Sequence, residues 1–383
     1  RVIVPLGSRR ILGVVMADVY DAPATEPFKA KPIVSVVEPT PVVPPELLRF
    51  LRELAAYYLA PMGDVLRLAM PGLKKQDAGR AAGGEMVDLR GARLVAARQV
   101  QMAQATDKLE SSPLRGNAAA LLAHLRAHGA LPVARLADRW STARTLLPKL
   151  AADGLVTLVT RDEARDPFFR DTLARDQAPE PTDAQSAAMQ TLDEASLASK
   201  SQGFLLHGVT GSGKTEVYLH SIATALAQGK GALVLVPEIA LTPQFISRFR
   251  SRFGDAVSVV HSALSPHDRH AMWLALRRGD VRVAIGARSA LFAPVPDLGL
   301  VIVDEEHDGS FKQEEGVRYH ARDMALLRAH RVSAVCILGS ATPSLESEQL
   351  ARTGRLARLN LPGRARESAA LPKIQVVDLR RTG

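Results

Sequence analysis

The sequence predicts an α/β multidomain protein: a parallel-sheet P-loop lobe, preceded by a small β-rich domain and by a helical domain that closes on a β-wing. Three observations carry this. From about residue 175, short apolar strands alternate with helical stretches, the order that makes a parallel sheet with helices on both faces. One of those strands runs into Gly208-Val-Thr-Gly-Ser-Gly-Lys214-Thr215, which fits GxxxxGK[ST] between a strand and a helix. Residues 111–170 carry three helical patterns and then a strand.

Composition sets the bounds. At about 100–200 residues per domain, 383 residues allow two to four domains. With 46% hydrophobic and 23% charged residues the chain is globular, which excludes a disordered or fibrous protein. The single cysteine, Cys336, excludes a disulfide scaffold and a cysteine zinc cluster within this chain. It lies in an apolar strand and reads as a core residue. No apolar run approaches the ~20 residues of a membrane span, and the N-terminus is no signal peptide, so a cytoplasmic protein is expected. Lys and Arg total 49 against 40 Asp and Glu, a net +9 that favours a polyanionic partner such as nucleic acid. A solvated arginine-rich surface is the alternative. The chain opens at Arg1 in a strand-like run and stops soon after another at 374–377, so it is expected to be a piece of something longer.

Residues 1–76 read as the β-rich domain. Runs at 1–4, 12–19 and 33–37 are β-branched and bounded by Pro, Gly and Asp. Residues 46–58 then place Leu47, Leu51, Leu54, Ala55 and Tyr58 at helical spacing. Pro61, Gly63, Pro71 and Gly72 are expected to break the segment after that helix. Residues 77–110, rich in Ala, Arg and Gly with weak periodicity, read as a linker. In 111–170 the helices are expected at 117–127, 133–140 and 141–151, with Ser141 as N-cap of the third, and a strand at 155–159. Three helices and a β-wing make a winged helix; an ordinary helical connector is the alternative. In 175–383 the strands are expected at 203–207, 232–236, 257–260, 281–285, 300–303 and 335–338.

Three segments carry chemistry. Gly208, Gly211 and Gly213, with Val209, Thr210 and Ser212 between them, let backbone amides converge on an anion at a helix N-terminus. Lys214 would reach the β- and γ-phosphates of ATP, and Thr215 would hold Mg²⁺. The apolar strand ending in Asp304-Glu305-Glu306-His307 supplies the second half: Asp304 for Mg²⁺, Glu305 for the attacking water. Gly339-Ser-Ala-Thr342-Pro, after another apolar strand, could sense the γ-phosphate. In this order the segments look like the first RecA-like lobe of a superfamily 2 helicase.

More closely, the chain resembles the replication restart (primosomal) helicases. The resemblance lies in GVTGSGKTEVY from Gly208, LVPEIALTPQ from Leu235, VDEEHDGSFKQEEGVRYHARD from Val303 and GSATPS from Gly339. At the N-terminus it lies in VPLGSRR from Val4 and YYLAPMGDVL from Tyr57. It implies that Gln185 contacts adenine. It implies that Phe311, Lys312, Arg318, Tyr319 and Arg322 belong to an aromatic-rich loop coupling DNA contact to hydrolysis, its rings stacking on bases and its cations meeting phosphates. Arg288 and Ser289 match a DNA-backbone motif. Gly7 and Lys31 match a pocket for the 3′ end of a leading strand, which makes 1–76 a 3′-end DNA-binding domain. Ala287 stands where threonine is expected, and Val317 where some relatives carry tryptophan. The second lobe, with its arginine finger and the family's Zn²⁺ cluster, is expected after residue 383; this chain holds no ligands for that zinc.

The resemblance implies an ATP-dependent 3′-to-5′ DNA helicase that recognises stalled or abandoned forks and initiates primosome assembly. It implies a bacterial, nucleoid-associated protein whose partners are forked DNA, single-stranded DNA-binding protein and primosome proteins. Two other readings are a fork-binding scaffold with a dispensable ATPase and a duplex DNA translocase.

Overall fold

The computed structural model describes residues 1–16, 31–38, 40–70, 72–74, 94–95, 99–106, 108, 114–162, 176–198, 200–260 and 264–365. The expected strand at 374–377 lies outside them. The chain forms two compact units. One holds Arg1–Thr40, Pro71–Arg165 and Ser265–Ala271; the other holds Pro41–Met70, Asp166–Leu264 and Met272–Gly383.

In the first unit, β1 (Val2–Leu6) pairs antiparallel with β2 (Arg9–Gly13) and β3 (Ser35–Val36), in the order β2-β1-β3. Leu6 faces Arg9 across a two-residue loop, and Gly7 takes φ +60° at its first position, where a side chain would be strained. The strand expected at 12–19 ends at Gly13; Val14–Met16 are irregular and 17–19 lie outside the described residues. Two short parallel strands come next, β4 (Leu73–Lys74) and β5 (Leu94–Val95).

The helices of the same unit run Gly116–His128, Val133–Arg139 and Ala143–Ala152. They pack Leu121, Leu122, Leu125, Leu136, Leu147 and Leu150 into one core. The sheet beside them is β6 (Gln99–Ala105), β7 (Leu131–Pro132) and β8 (Val156–Asp162), in the antiparallel order β7-β6-β8. Three helices thus stand with a three-stranded antiparallel sheet in this part of the unit. Two expectations change. The linker at 77–110 contains β6, whose alanines and glutamines have low strand propensity; seven paired residues on β8 make it a strand, with Ala103 wholly buried. Ser141 is not the cap: Thr142 occupies that position, without a side-chain capping bond.

In the second unit, seven strands form one parallel sheet. They are β9 (Gln202–Gly208), β10 (Gly231–Leu235), β11 (Val257–Val260), β12 (Val283–Gly286), β13 (Leu298–Asp304), β14 (Val335–Ser340) and β15 (Ala357–Leu361). Their order is β11-β12-β10-β13-β14-β9-β15. Six were expected. The seventh, β15, is an edge strand whose Arg358 and Asn360 face solvent, so it lacks the continuous apolar run of a central strand. The central strands β10, β12 and β13 are buried at every position. Burial pushes the Cys336 thiol up to about 12, as a core residue requires.

The helices Pro45–Tyr57 and Met62–Ala69 are built into this second unit, although sequence grouping places them with the strands before them. Their apolar stripes need a partner surface. Phe50 meets Phe292 with ring centroids 6.4 Å apart, and Trp273 Nε1 donates to Ala69 O at 3.1 Å. Arg331 Nε donates to Glu53 Oε2 at 2.7 Å. Pro61 and Gly63 do not break the segment. Pro61 precedes the first helical turn, where a missing N–H costs nothing, and Gly63 is an exposed first-turn residue.

Candidate nucleotide site and its surroundings

At the C-terminal end of β9 the chain turns through residues 209–213 and enters the helix Lys214–Ala227. Gly211 and Gly213 take φ +83° and +82°, a left-handed backbone that turns successive amides to one side. A Cβ at Gly213 would lie 2.2 Å from Gln185 Nε2, and one at Gly208 2.5 Å from Ser212 Oγ. Ser212 Oγ is buried and, among the described residues, has no hydrogen-bond partner. Lys214 Nζ donates to Gly208 O at 3.0 Å and stands 3.7 Å from Glu305 Oε1. An orphaned hydroxyl, converging amides and a lysine closing the loop fit a nucleotide's phosphates. Thr215 is half-buried in the first turn, and Val209, Thr210 and Gly211 form the exposed rim.

The acids arrive on β13, separated from β9 by β14. Asp304 ends the strand, nearly buried, and Tyr218 of the P-loop helix donates its hydroxyl to Asp304 Oδ1 at 2.8 Å. Burial raises the Asp304 carboxyl above its ordinary value, and the Tyr218 hydrogen bond opposes that rise. Glu305 takes φ +47°, which swings its carboxylate toward Lys214, with His307 Nδ1 at 3.7 Å. A strained non-glycine residue at this point is consistent with a functional demand. His307 Nδ1 also lies 2.8 Å from Ser340 Oγ, joining the acidic turn to the Ser340–Thr342 turn.

Glu306 was missed by the sequence reading. It is wholly buried and accepts from Ser344 N at 2.7 Å, Ser344 Oγ at 2.9 Å and Ser347 Oγ at 2.8 Å. Arg322 NH1 donates to it at 3.3 Å. Gln185, expected against adenine, is also buried. Its Nε2 donates to Ser212 O at 2.9 Å, and its Oε1 accepts from Thr182 N at 2.9 Å in a capping box for the helix Asp183–Leu197. In this structure it braces the phosphate loop.

The residues expected to meet DNA divide in two. Phe311 and Tyr319 are core side chains; Tyr319 meets Phe292 edge-on at 5.2 Å, so neither ring is open to a base. Arg322 is buried and committed to Glu306, to Asp323 at 2.9 Å and to Glu346 at 3.6 Å. Sequence spacing cannot separate a stacking aromatic from a packed one, and here packing won. Arg288 is turned onto the loop itself, donating to Ser310 O at 2.9 Å and Lys312 O at 2.7 Å. Ser289, Lys312 and Arg318 are exposed. Lys312 Nζ donates to Arg318 O at 3.1 Å and lies 5.8 Å over the Tyr58 ring. Tyr58, read in the sequence only as an apolar helix position, accepts a hydrogen bond from His320 N at 3.0 Å. Ala287 and Val317, the two departures, are both buried. Gly7 and Lys31 are exposed in the first unit.

A phosphate loop on one strand, paired acids on a strand two places away and a hydroxyl-rich turn between them define a helicase-type P-loop lobe. Residues 182–350 match the DEAD/DEAH box helicase family. Residues 1–71 match a family described as 3'DNA-binding domain (3'BD). The chain is 35% identical over 361 residues to "Replication restart protein PriA" of Chlamydia pneumoniae, covering 93% of this chain and 46% of that protein. It is 45% identical over 251 residues to the protein of the same name from Bacillus subtilis, covering 65% of this chain and 31% of that one. The chain belongs to the replication restart protein PriA family, and it spans less than half the length of these relatives. A structure titled "Structure of RecG bound to three-way DNA junction" overlaps 51% of this chain and 25% of that one, at 26% identity and a TM-score of 0.39.

Proposed function

We propose that this chain works within an ATP-dependent 3′-to-5′ DNA helicase that recognises stalled or abandoned replication forks and starts primosome assembly. The observation that carries the chemistry is the meeting of Lys214 with Glu305, beside Asp304, at the C-terminal ends of the strands of the parallel sheet. Lys214 leaves Gly208 O for the β- and γ-phosphates, and the loop amides hold the phosphate oxygens. Thr215 and Asp304 would hold Mg²⁺, which when bound offsets charge on the transferred phosphoryl group. Glu305 orients the attacking water and accepts its proton. A transition-state arginine is inferred to come from a second lobe. Residues 1–383 alone would then bind ATP but turn it over slowly, since such an arginine is worth roughly 10³–10⁵ in rate.

DNA contact falls to exposed polar side chains: the cations Lys312 and Arg318 and the hydroxyl of Ser289 on the lobe, and the cations Arg135, Arg139, Arg144 and Lys149 on the winged helix. Gly7 and Lys31 are assigned to 3′-end capture. Partners of the primosome and single-stranded DNA-binding protein, and a place at the nucleoid, are proposals that rest on family membership. Stacking on bases would favour a single-strand helicase over a duplex translocase, but Phe311 and Tyr319 are buried and do not supply it. Strand unwinding and triplex displacement are therefore measured side by side on the longer protein containing this chain. Fork unwinding that Lys214→Ala abolishes, with fork binding kept, supports the helicase. Triplex displacement without unwinding refutes it, and restart activity that survives Lys214→Ala points to the scaffold.

A further inference from the structure

The hydroxyl of Tyr218 sits where three segments of the nucleotide site meet. Tyr218 lies four residues after Lys214, one turn along the same helix face. The ring is wholly buried, in a position any large apolar residue could fill, yet its hydroxyl reaches Asp304 Oδ1 at 2.8 Å. The third segment is Gly339, which pairs with Asp304 across β13 and β14. A Cβ at Gly339 would lie 1.6 Å from the Tyr218 hydroxyl oxygen and 2.8 Å from its Cζ. No rotamer adjustment of a packed ring absorbs that overlap, so the glycine is what admits the hydroxyl.

We propose that Tyr218 is a positioning residue for the divalent cation of the nucleotide site, with Gly339 as the slot that admits it. This rests on the reading of Asp304 as a magnesium ligand. By holding one carboxylate oxygen from the P-loop helix, Tyr218 fixes the rotamer of Asp304 and ties it to the element that carries Lys214 and Thr215. A partner that orients a metal ligand in this way typically changes metal affinity by 10–100-fold when removed.

The test is a Mg²⁺ titration of fluorescent ADP binding to residues 1–383. Tyr218→Phe keeps the ring and removes only the hydroxyl. It should raise the Mg²⁺ concentration at half-saturation on the order of 10-fold and leave Mg²⁺-free ADP affinity unchanged. A merely structural role would move both together. Gly339→Ala should shift the Mg²⁺ midpoint in the same direction. A Tyr218→Phe midpoint within twofold of wild type overturns the proposal, as does an equal loss of Mg²⁺-free affinity. The underlying site is checked separately: if Asp304→Asn leaves the wild-type Mg²⁺ dependence intact, Asp304 is not the ligand and that reading fails first.

Discussion

Glu305 and Glu306 are adjacent carboxylates with opposite fates, and Glu306→Ala separates them. Glu306 is wholly buried, accepts three hydrogen bonds from Ser344 and Ser347, and faces Arg322 at 3.3 Å. The alanine leaves Ser344 N and Ser347 Oγ without their acceptor and strips a buried guanidinium of its buried partner. Breaking one side of a buried ion pair costs about 3–5 kcal/mol. Arg322 keeps Asp323 and Glu346, which are more exposed, so the low end applies. In a unit of this size about 1 kcal/mol moves the melting temperature by roughly 2–4 °C, so Glu306→Ala should melt about 6–12 °C below wild type. Glu305→Ala is the control. Its carboxylate is 36% exposed and its two ion contacts are both at 3.7 Å, worth little in stability. It should melt near wild type and lose hydrolysis. Differential scanning calorimetry with and without nucleotide decides. A Glu306→Ala transition within about 2 °C of wild type would refute the buried-node account.

Three further outcomes are expected. Tyr58→Phe removes the acceptor of His320 N, a loss of about 0.5–1.5 kcal/mol, and should speed amide exchange at His320 in native-state hydrogen exchange. Burial pushes the His320 ring below its ordinary value, helped by Arg322 and Lys312 and opposed by Asp323. The unfolded chain therefore takes up the proton first as pH falls. Stability is full above about pH 6.5, declines below it and levels off under the folded value; His320→Gln should flatten that slope in urea melts at pH 5 to 8. Lys312→Ala and Arg318→Ala should each reduce the slope of log K against log salt by about 0.7–0.9, whereas Phe311→Leu should lower stability and leave that slope unchanged.

The phosphate loop, the acidic strand and the parallel order of the lobe are legible in the sequence because each rests on local physics. Glycines at positive φ, an apolar run long enough for one strand and a lysine at a helix start are fixed by neighbours in the chain. Where a side chain ends up relative to distant ones is decided by packing. Tyr218 and Asp304 stand 86 residues apart and touch only because β9 and β13 flank β14. Phe311, Tyr319 and Arg322 have the composition of a nucleic-acid surface, but Tyr319 packs on Phe292, Arg322 pairs with Glu306, and Phe311 is wholly buried. The same holds for the helix Pro45–Tyr57, whose apolar stripe shows in the sequence without naming its partner, and for β6, a strand only because β8 pairs with it. Periodicity specifies that a face must be buried; the face that buries it is chosen by the whole chain, since burial depends on atoms brought together from distant positions.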